Sequence, residues 1–258
     1  MKGWSWCAAV MVLGMSVSCW AQTQGDTTAA PRSAASHKES TQDDEELKKV
    51  LDGVKLIEAH QPQQAIDGPL TEAVDYYEHA FASSKDVLYS PRGPKDTLFY
   101  LLDAAQHPGP SGKAIAVGRA WAMAYWARGY AYGELGQFEK SRDELQKAIK
   151  LAPKDSQYNG ELGFAYQHLR DWNSSLAAFK LTEEYADLTF DAPADIASMK
   201  CRGLRGQGYD LVELHRLDEA EQKYRACLHL VPDDQKSLQE LGYVRQQLQR
   251  QGRQQTSP

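Results

Sequence analysis

Residues 125–153 read YWARGYAYGELGQFEKSRDELQKAIKLAP. Tyr125, Gly129, Tyr132 and Leu135 recur at helical spacing, and Leu145, Ala148 and Leu151 recur again before Pro153. The stretch is one helical hairpin. Its central glycine–aromatic pair, Gly129-Tyr130, returns as Gly163-Phe164, Gly208-Tyr209 and Gly242-Tyr243, with the glycines 34, 45 and 34 residues apart. A self-similar period near 34 marks a solenoid, in which one hairpin is copied and stacked.

The copies keep their order. The second aligns Leu162, Gly163, Tyr166, Leu169, Trp172 and Phe179, and the third Leu204, Gly208, Leu211, Leu214, Leu217, Ala220, Tyr224, Cys227, Leu230 and Pro232. With Gly-Gln-Phe-Glu-Lys-Ser (136–141) and His-Arg-Leu-Asp-Glu-Ala (215–220) at the turns, residues 120–249 resemble the tetratricopeptide repeat (TPR) family. That resemblance implies an all-α fold: a right-handed solenoid of helical hairpins, with Gly or Ala where paired helices touch. The second copy departs at its end, with Thr182 and Asp187 in place of Ala148 and Pro153. Eleven extra residues follow, including Asp191-Ala192-Pro193-Ala194, and predict a lengthened helix or a loop. Residues 237–249 repeat the first-helix pattern alone and suit a solvating cap on the last apolar face.

Five segments result: 1–21, 22–42, 43–112, 113–249 and 250–258. Lys2, the apolar or small run Trp4 to Val17, and Ser18-Cys19-Trp20-Ala21 have the order of a secretory signal peptide. Two cuts fit. The first reading places cleavage after Ala21; the second is a lipoprotein cut before Cys19, which would add a lipid anchor. Either exports the chain, the first into a bacterial periplasm and the second onto a bacterial membrane. Residues 22–42, rich in Thr, Ala, Ser and Gln, read as a disordered linker. The segment 43–112 opens as a degenerate hairpin, with Leu47, Val50, Leu51 and Val54 on its first helix. Its second helix starts at Pro62, and Gly53 and Ala65 are offset by twelve, as in the contacts of the later repeats. From 83 to 112 turn-rich punctuation brackets one short helix, about 95–106, a 30-residue insertion that would pack across the array. The last nine residues read as a disordered tail.

The formal charge of −6, from 29 Lys+Arg against 35 Asp+Glu, disfavours sequence-independent binding to nucleic acid. After residue 21 no run is long and apolar enough to span a bilayer.

Antiparallel paired helices bring together residues whose numbers share a constant sum. Gly208 with Ala220 and Cys201 with Cys227 both sum to 428, so the two cysteines, two turns from the glycine contact, should face each other. With export into an oxidising compartment, a Cys201–Cys227 disulfide is expected; two buried free thiols are the alternative.

In the family the inner, concave face is lined by first-helix side chains and is where partners usually bind. Mapped residue by residue, this face carries Trp126, Tyr130 and Glu134, then Gln157, Phe164, Gln167 and His168. Arg202, Arg205, Tyr209 and Glu213 follow, with Lys236 and Tyr243 on the cap. Tyr130, Phe164, Tyr209 and Tyr243 form an aromatic ladder of the kind enriched at binding hot spots, or else repeated packing residues. Arg202, Arg205 and Lys236 would make one end basic and suit a carboxylate or acidic segment.

Signals for catalysis are poor. Residues 109–114 resemble a phosphate loop, but His107 stands where its first glycine should be and Ala114 where a Ser or Thr should hold magnesium. The histidines show no metal-ligand spacing, and no Gly-x-Ser-x-Gly elbow occurs. No catalytic residue, metal site or cofactor is assigned. The leading reading is an exported, non-enzymatic scaffold that holds a protein or peptide in its groove within an envelope or secretion complex. An immunity-type protein covering a secreted effector, and a carbohydrate-binding or enzymatic protein using the aromatic ladder, remain as alternatives.

Overall fold

A computed structural model describes residues 34–109 and 111–255. The signal peptide and most of the linker expected from the sequence lie outside them. The described chain is an all-α solenoid. Helix α1 (Ala34–Glu58) packs against α2 (Pro62–Ala65), a π-helical turn at Ile66–Leu70, and α3 (Thr71–Ala80). Three hairpins follow: α5 (Ala120–Glu134) with α6 (Phe138–Leu151), α7 (Ser156–His168) with α8 (Trp172–Glu184), and α10 (Pro193–Glu213) with α11 (Leu217–Leu230). The single helix α12 (Gln235–Gln255) closes the array against α11.

One turn is used four times. Gly136, Arg170 and His215, at the same 34 and 45 steps as the glycines, all have left-handed backbone with φ near 60–70°, as does His60 at the first hairpin. In each, the following N–H donates five residues back: Gln61 to Leu56, Gln137 to Tyr132, Asp171 to Tyr166 and Arg216 to Leu211, at 2.8–3.0 Å. This is the Schellman ending of a helix, which satisfies carbonyls left open by the last turn. Its recurrence at His60 makes α1 to α3 a hairpin of the same design.

The glycines of the repeat are contact points, but not all alike. A Cβ on Gly129 would meet Leu145, one on Gly163 would meet Phe179 and one on Gly208 would meet Tyr224, each at 2.8–2.9 Å. Gly242, on the cap with no second helix over it, has open space. Gly53 faces Leu70 rather than the Ala65 region, because the π-helical turn at Gly68-Pro69 shifts the register of that hairpin.

Two boundaries differ from the sequence reading. Residues 34–42 belong to α1 and 250–255 to α12, where low hydrophobicity reads as linker and tail. Both stretches are rich in good helix formers (Ala34, Ala35, Lys38, Glu39, then Arg250, Gln251), and helix propensity needs no burial. The eleven extra residues after the second repeat form α9 (Ala186–Thr189) and extra N-terminal turns of the 21-residue α10, the lengthened helix being one of the two forms expected there.

The insertion also holds structure the sequence does not announce. Strand β1 (Val87–Tyr89) pairs in parallel with β2 (Ala114–Ala116), and α4 (Pro94–Gln106), the short helix expected at about 95–106, lies between them in sequence. Tyr89 stacks on Tyr100 of α4, with ring centroids 5.0 Å apart. Ser90 ties the segment to the array: its N–H donates to Leu151 O at 2.9 Å, and its Oγ donates to Gly118 O and accepts from Ala122 N.

Two main cores run through the stack. One joins α1 to α3 with α5 and includes Tyr77 stacked on Trp121 at 5.4 Å; the other joins α8, α10, α11 and α12 around Tyr224 and Leu211.

Candidate functional site: the inner face of the first helices

The first helices α5, α7, α10 and α12 carry the mapped groove residues. In the three hairpins each contact glycine is buried, while the next residue, Tyr130, Phe164 or Tyr209, is half-buried; Tyr243 on the cap is 47% exposed. One helical step of 100° thus separates a residue that sets helix spacing from one that keeps surface.

Three of these aromatics have ring contacts with neighbouring side chains. Trp126 lies 6.2 Å from Tyr130 on its own helix and 6.0 Å from Tyr158 on the next. Phe164 meets His168 edge-on at 4.5 Å, and Phe138 stacks on that imidazole at 3.9 Å. Burial lowers the His168 pKa, which favours the neutral ring in this sandwich. Tyr209 meets Trp172 edge-on at 6.1 Å. Tyr130, Phe164 and Tyr209 are therefore each braced by a neighbouring side chain.

The two arginines are committed within the chain. Arg202 Nη2 is 3.0 Å from Glu161 on α7, and Arg205 Nη1 is 2.8 Å from Asp234 in the α11–α12 turn. Their charge is compensated, while Lys236, the third cation mapped to this end, is exposed. Burial raises the Tyr209 phenol pKa first, Glu213, Glu240 and Asp210 raise it further, and Arg170 opposes them. Burial likewise raises Tyr130, with Glu161 and Glu134 adding to it.

The insertion reaches the other end of the groove. Arg92 pairs with Asp155 and donates Nη2 to Gln157 Oε1 at 2.8 Å, and its guanidinium lies 5.1 Å over the Tyr158 ring. Asp155 is also the N-cap of α7, accepting from Tyr158 N at 2.9 Å. Lys95, at the start of α4, donates to the carbonyl of Asp187, and Tyr100 Oη accepts from Lys154 N at 3.1 Å. Gln157, one of the mapped groove residues, is thus occupied by this segment. Arg92 carries no motif, and its partners lie 63 and 65 residues away, so no local signal could reveal it.

Cys201 and Cys227 meet across α10 and α11 with Cα atoms 4.3 Å apart and sulfurs within bonding distance. Asp234 is close enough to both that the three could ligate a metal. Its carboxylate is already engaged, Oδ1 by Ser237 N at 2.7 Å and Oδ2 by Arg205, and Ser237 Oγ donates to Cys227 Sγ. The stretch that resembles a phosphate loop leads into β2, with Gly112 N donating to Gly109 O; no helix N-terminus follows to receive a phosphate.

None of the curated proteins matches this chain. Among solved structures, the second TPR domain of human RPAP3, in complex with an HSP70 peptide, is similar at 15% identity, over 48% of this chain and 94% of that one, with a TM-score of 0.42. The Arabidopsis OM64 TPR domain is similar at 18% identity, over 48% and 94% of the two chains, with a TM-score of 0.42. MamA of AMB-1 is similar at 17% identity, over 81% and 85%, with a TM-score of 0.49. The tetratricopeptide repeat family model matches residues 122–155, the α5–α6 hairpin and the turn that follows it. The chain thus carries a tetratricopeptide repeat at 122–155, and the α7–α8 and α10–α11 hairpins repeat its glycine and turn positions.

Proposed function

We propose that this chain is an exported, non-catalytic scaffold that holds a segment of a partner protein or peptide on the inner face of its first helices. The observation that carries the reading is the split between each repeat glycine and its neighbour. Gly129, Gly163 and Gly208 are buried under a second helix, while Tyr130, Phe164 and Tyr209 keep exposed surface on a rigid backbone. Braced aromatics lose little entropy on binding and offer large contact area. Export by residues 1–21 places the chain in the periplasm or, if Cys19 is lipidated, at a membrane surface. In that oxidising setting Cys201 and Cys227 form a disulfide that staples α10 to α11, the helix pair carrying Arg202, Arg205 and Tyr209.

Site-specific photocrosslinking tests this. A crosslinker at position 209 should capture a discrete envelope protein, and one at Arg225, exposed on α11, should not. Equal capture from both positions would contradict an inner-face site.

A further inference from the structure

Glu213, the last residue of α10, and Tyr243 of α12 line a cavity of about 320 Å³ at the C-terminal mouth of the groove. Val212, His215, Leu217 and Gln247 also line it. The volume is at the lower end of the ~300–1,000 Å³ typical of ligand pockets, suited to one long side chain. No described lysine or arginine side chain lines it. Among the described residues, no ion pair engages Glu213, whereas Arg202 and Arg205 are both paired. Glu213 and Glu240 both act on the neighbouring Tyr209, opposed by Arg170.

We propose that this cavity holds a lysine or arginine side chain of a basic partner segment. Val212 and Leu217 would cover the methylene stem. The exposed face of Tyr243 would take the cation, and the Glu213 carboxylate would pair with it. The proposal rests on the groove reading and names the chemistry of its partner. It reverses the acidic ligand that Arg202 and Arg205 suggest in the sequence, because the structure places Glu161 and Asp234 against them.

The test is fluorescence anisotropy with labelled heptalysine, heptaglutamate and heptaglutamine, using the purified protein at about 50 and about 300 mM salt. Heptalysine should bind, and bind less tightly at the higher salt. Glu213→Gln should weaken it about tenfold and Tyr243→Ala several-fold. Glu139→Gln, at an exposed acid on α6, should leave it unchanged. No heptalysine binding, full binding by Glu213→Gln, or tighter binding of heptaglutamate or heptaglutamine would overturn the proposal. The two readings separate cleanly. If partner capture needs Tyr130, Phe164 and Tyr209 but not Glu213, the groove stands and the cationic site falls. If heptalysine binding needs Glu213 while capture ignores those aromatics, the cavity stands and the groove reading falls.

Discussion

Gln167 of α7 donates Nε2 to Asp210 Oδ1 of α10 at 2.8 Å, holding a fully buried carboxylate between two repeats. Burial pushes the Asp210 pKa up to about 7, with Glu213 adding to the rise and the Gln167 hydrogen bond opposing it. The folded chain therefore holds a proton that the unfolded chain releases near pH 4. The stability this proton supplies is complete below about pH 4 and is lost as pH rises through about 7. Asp210→Asn removes the titration. Its Tm should exceed that of the native chain at pH 8 by a few degrees, roughly 2–4 °C per kcal/mol, and the gap should close toward pH 5. A gap that does not change with pH would contradict the assignment.

The approach of α8 to α10 is set by backbone. A Cβ on Gly203 would lie 2.8 Å from Glu183 N and 2.9 Å from Phe179 O, atoms that cannot give way without moving a helix. Gly203→Ala should destabilise by about 1–3 kcal/mol in urea melts. Gly242→Ala, which meets nothing within 4 Å, should stabilise by about 0.5–1 kcal/mol through helix propensity. The opposite signs are the prediction, since both are glycines within long helices.

Arg92 is the strap that fastens the insertion to α7. Its removal leaves Asp155, a nearly buried N-cap, without its cation. Arg92→Ala should cost roughly 3 kcal/mol, and Arg92→Lys much of that, because an ammonium cannot serve Asp155 and Gln157 as a planar fork. Hydrogen exchange should speed up across 87–106 while that of α10 to α12 is unchanged. Uniform loss of protection would mean that the insertion is not a separate fastening.

For the exported protein, denaturation without reductant should expose no free thiol from Cys201 or Cys227. Their bridge closes a separation of 26 residues, so reduction should remove about 3.5 kcal/mol in the chain-entropy model. Two titratable thiols in the unreduced protein would remove the staple from the account.

The hairpins were legible because their constraints are local and periodic. Gly129, Gly163 and Gly208 repeat with the helices they separate, and Cys201 and Cys227 fall opposite each other by the same counting. The three-residue strands β1 and β2 are too short to show an alternation, and their pairing joins residues 27 apart across turn-rich sequence. The groove's electrostatics were least legible. Mapping first-helix positions finds Arg202 and Arg205, but Asp234 sits in the turn beyond α11, and Glu161 is 41 residues upstream of Arg202. Likewise the Phe138–His168 stack joins two hairpins, and only the superhelix brings them together. Periodicity locates helices; pairings between helices depend on how they stack.

The most direct test of the inner-face site is capture by the Tyr130→Ala/Phe164→Ala/Tyr209→Ala protein, compared with the native chain in the same envelope extract. The variant's helical circular dichroism must be retained. The account predicts that the captured partner falls about tenfold or more. Undiminished capture by the folded variant would contradict it.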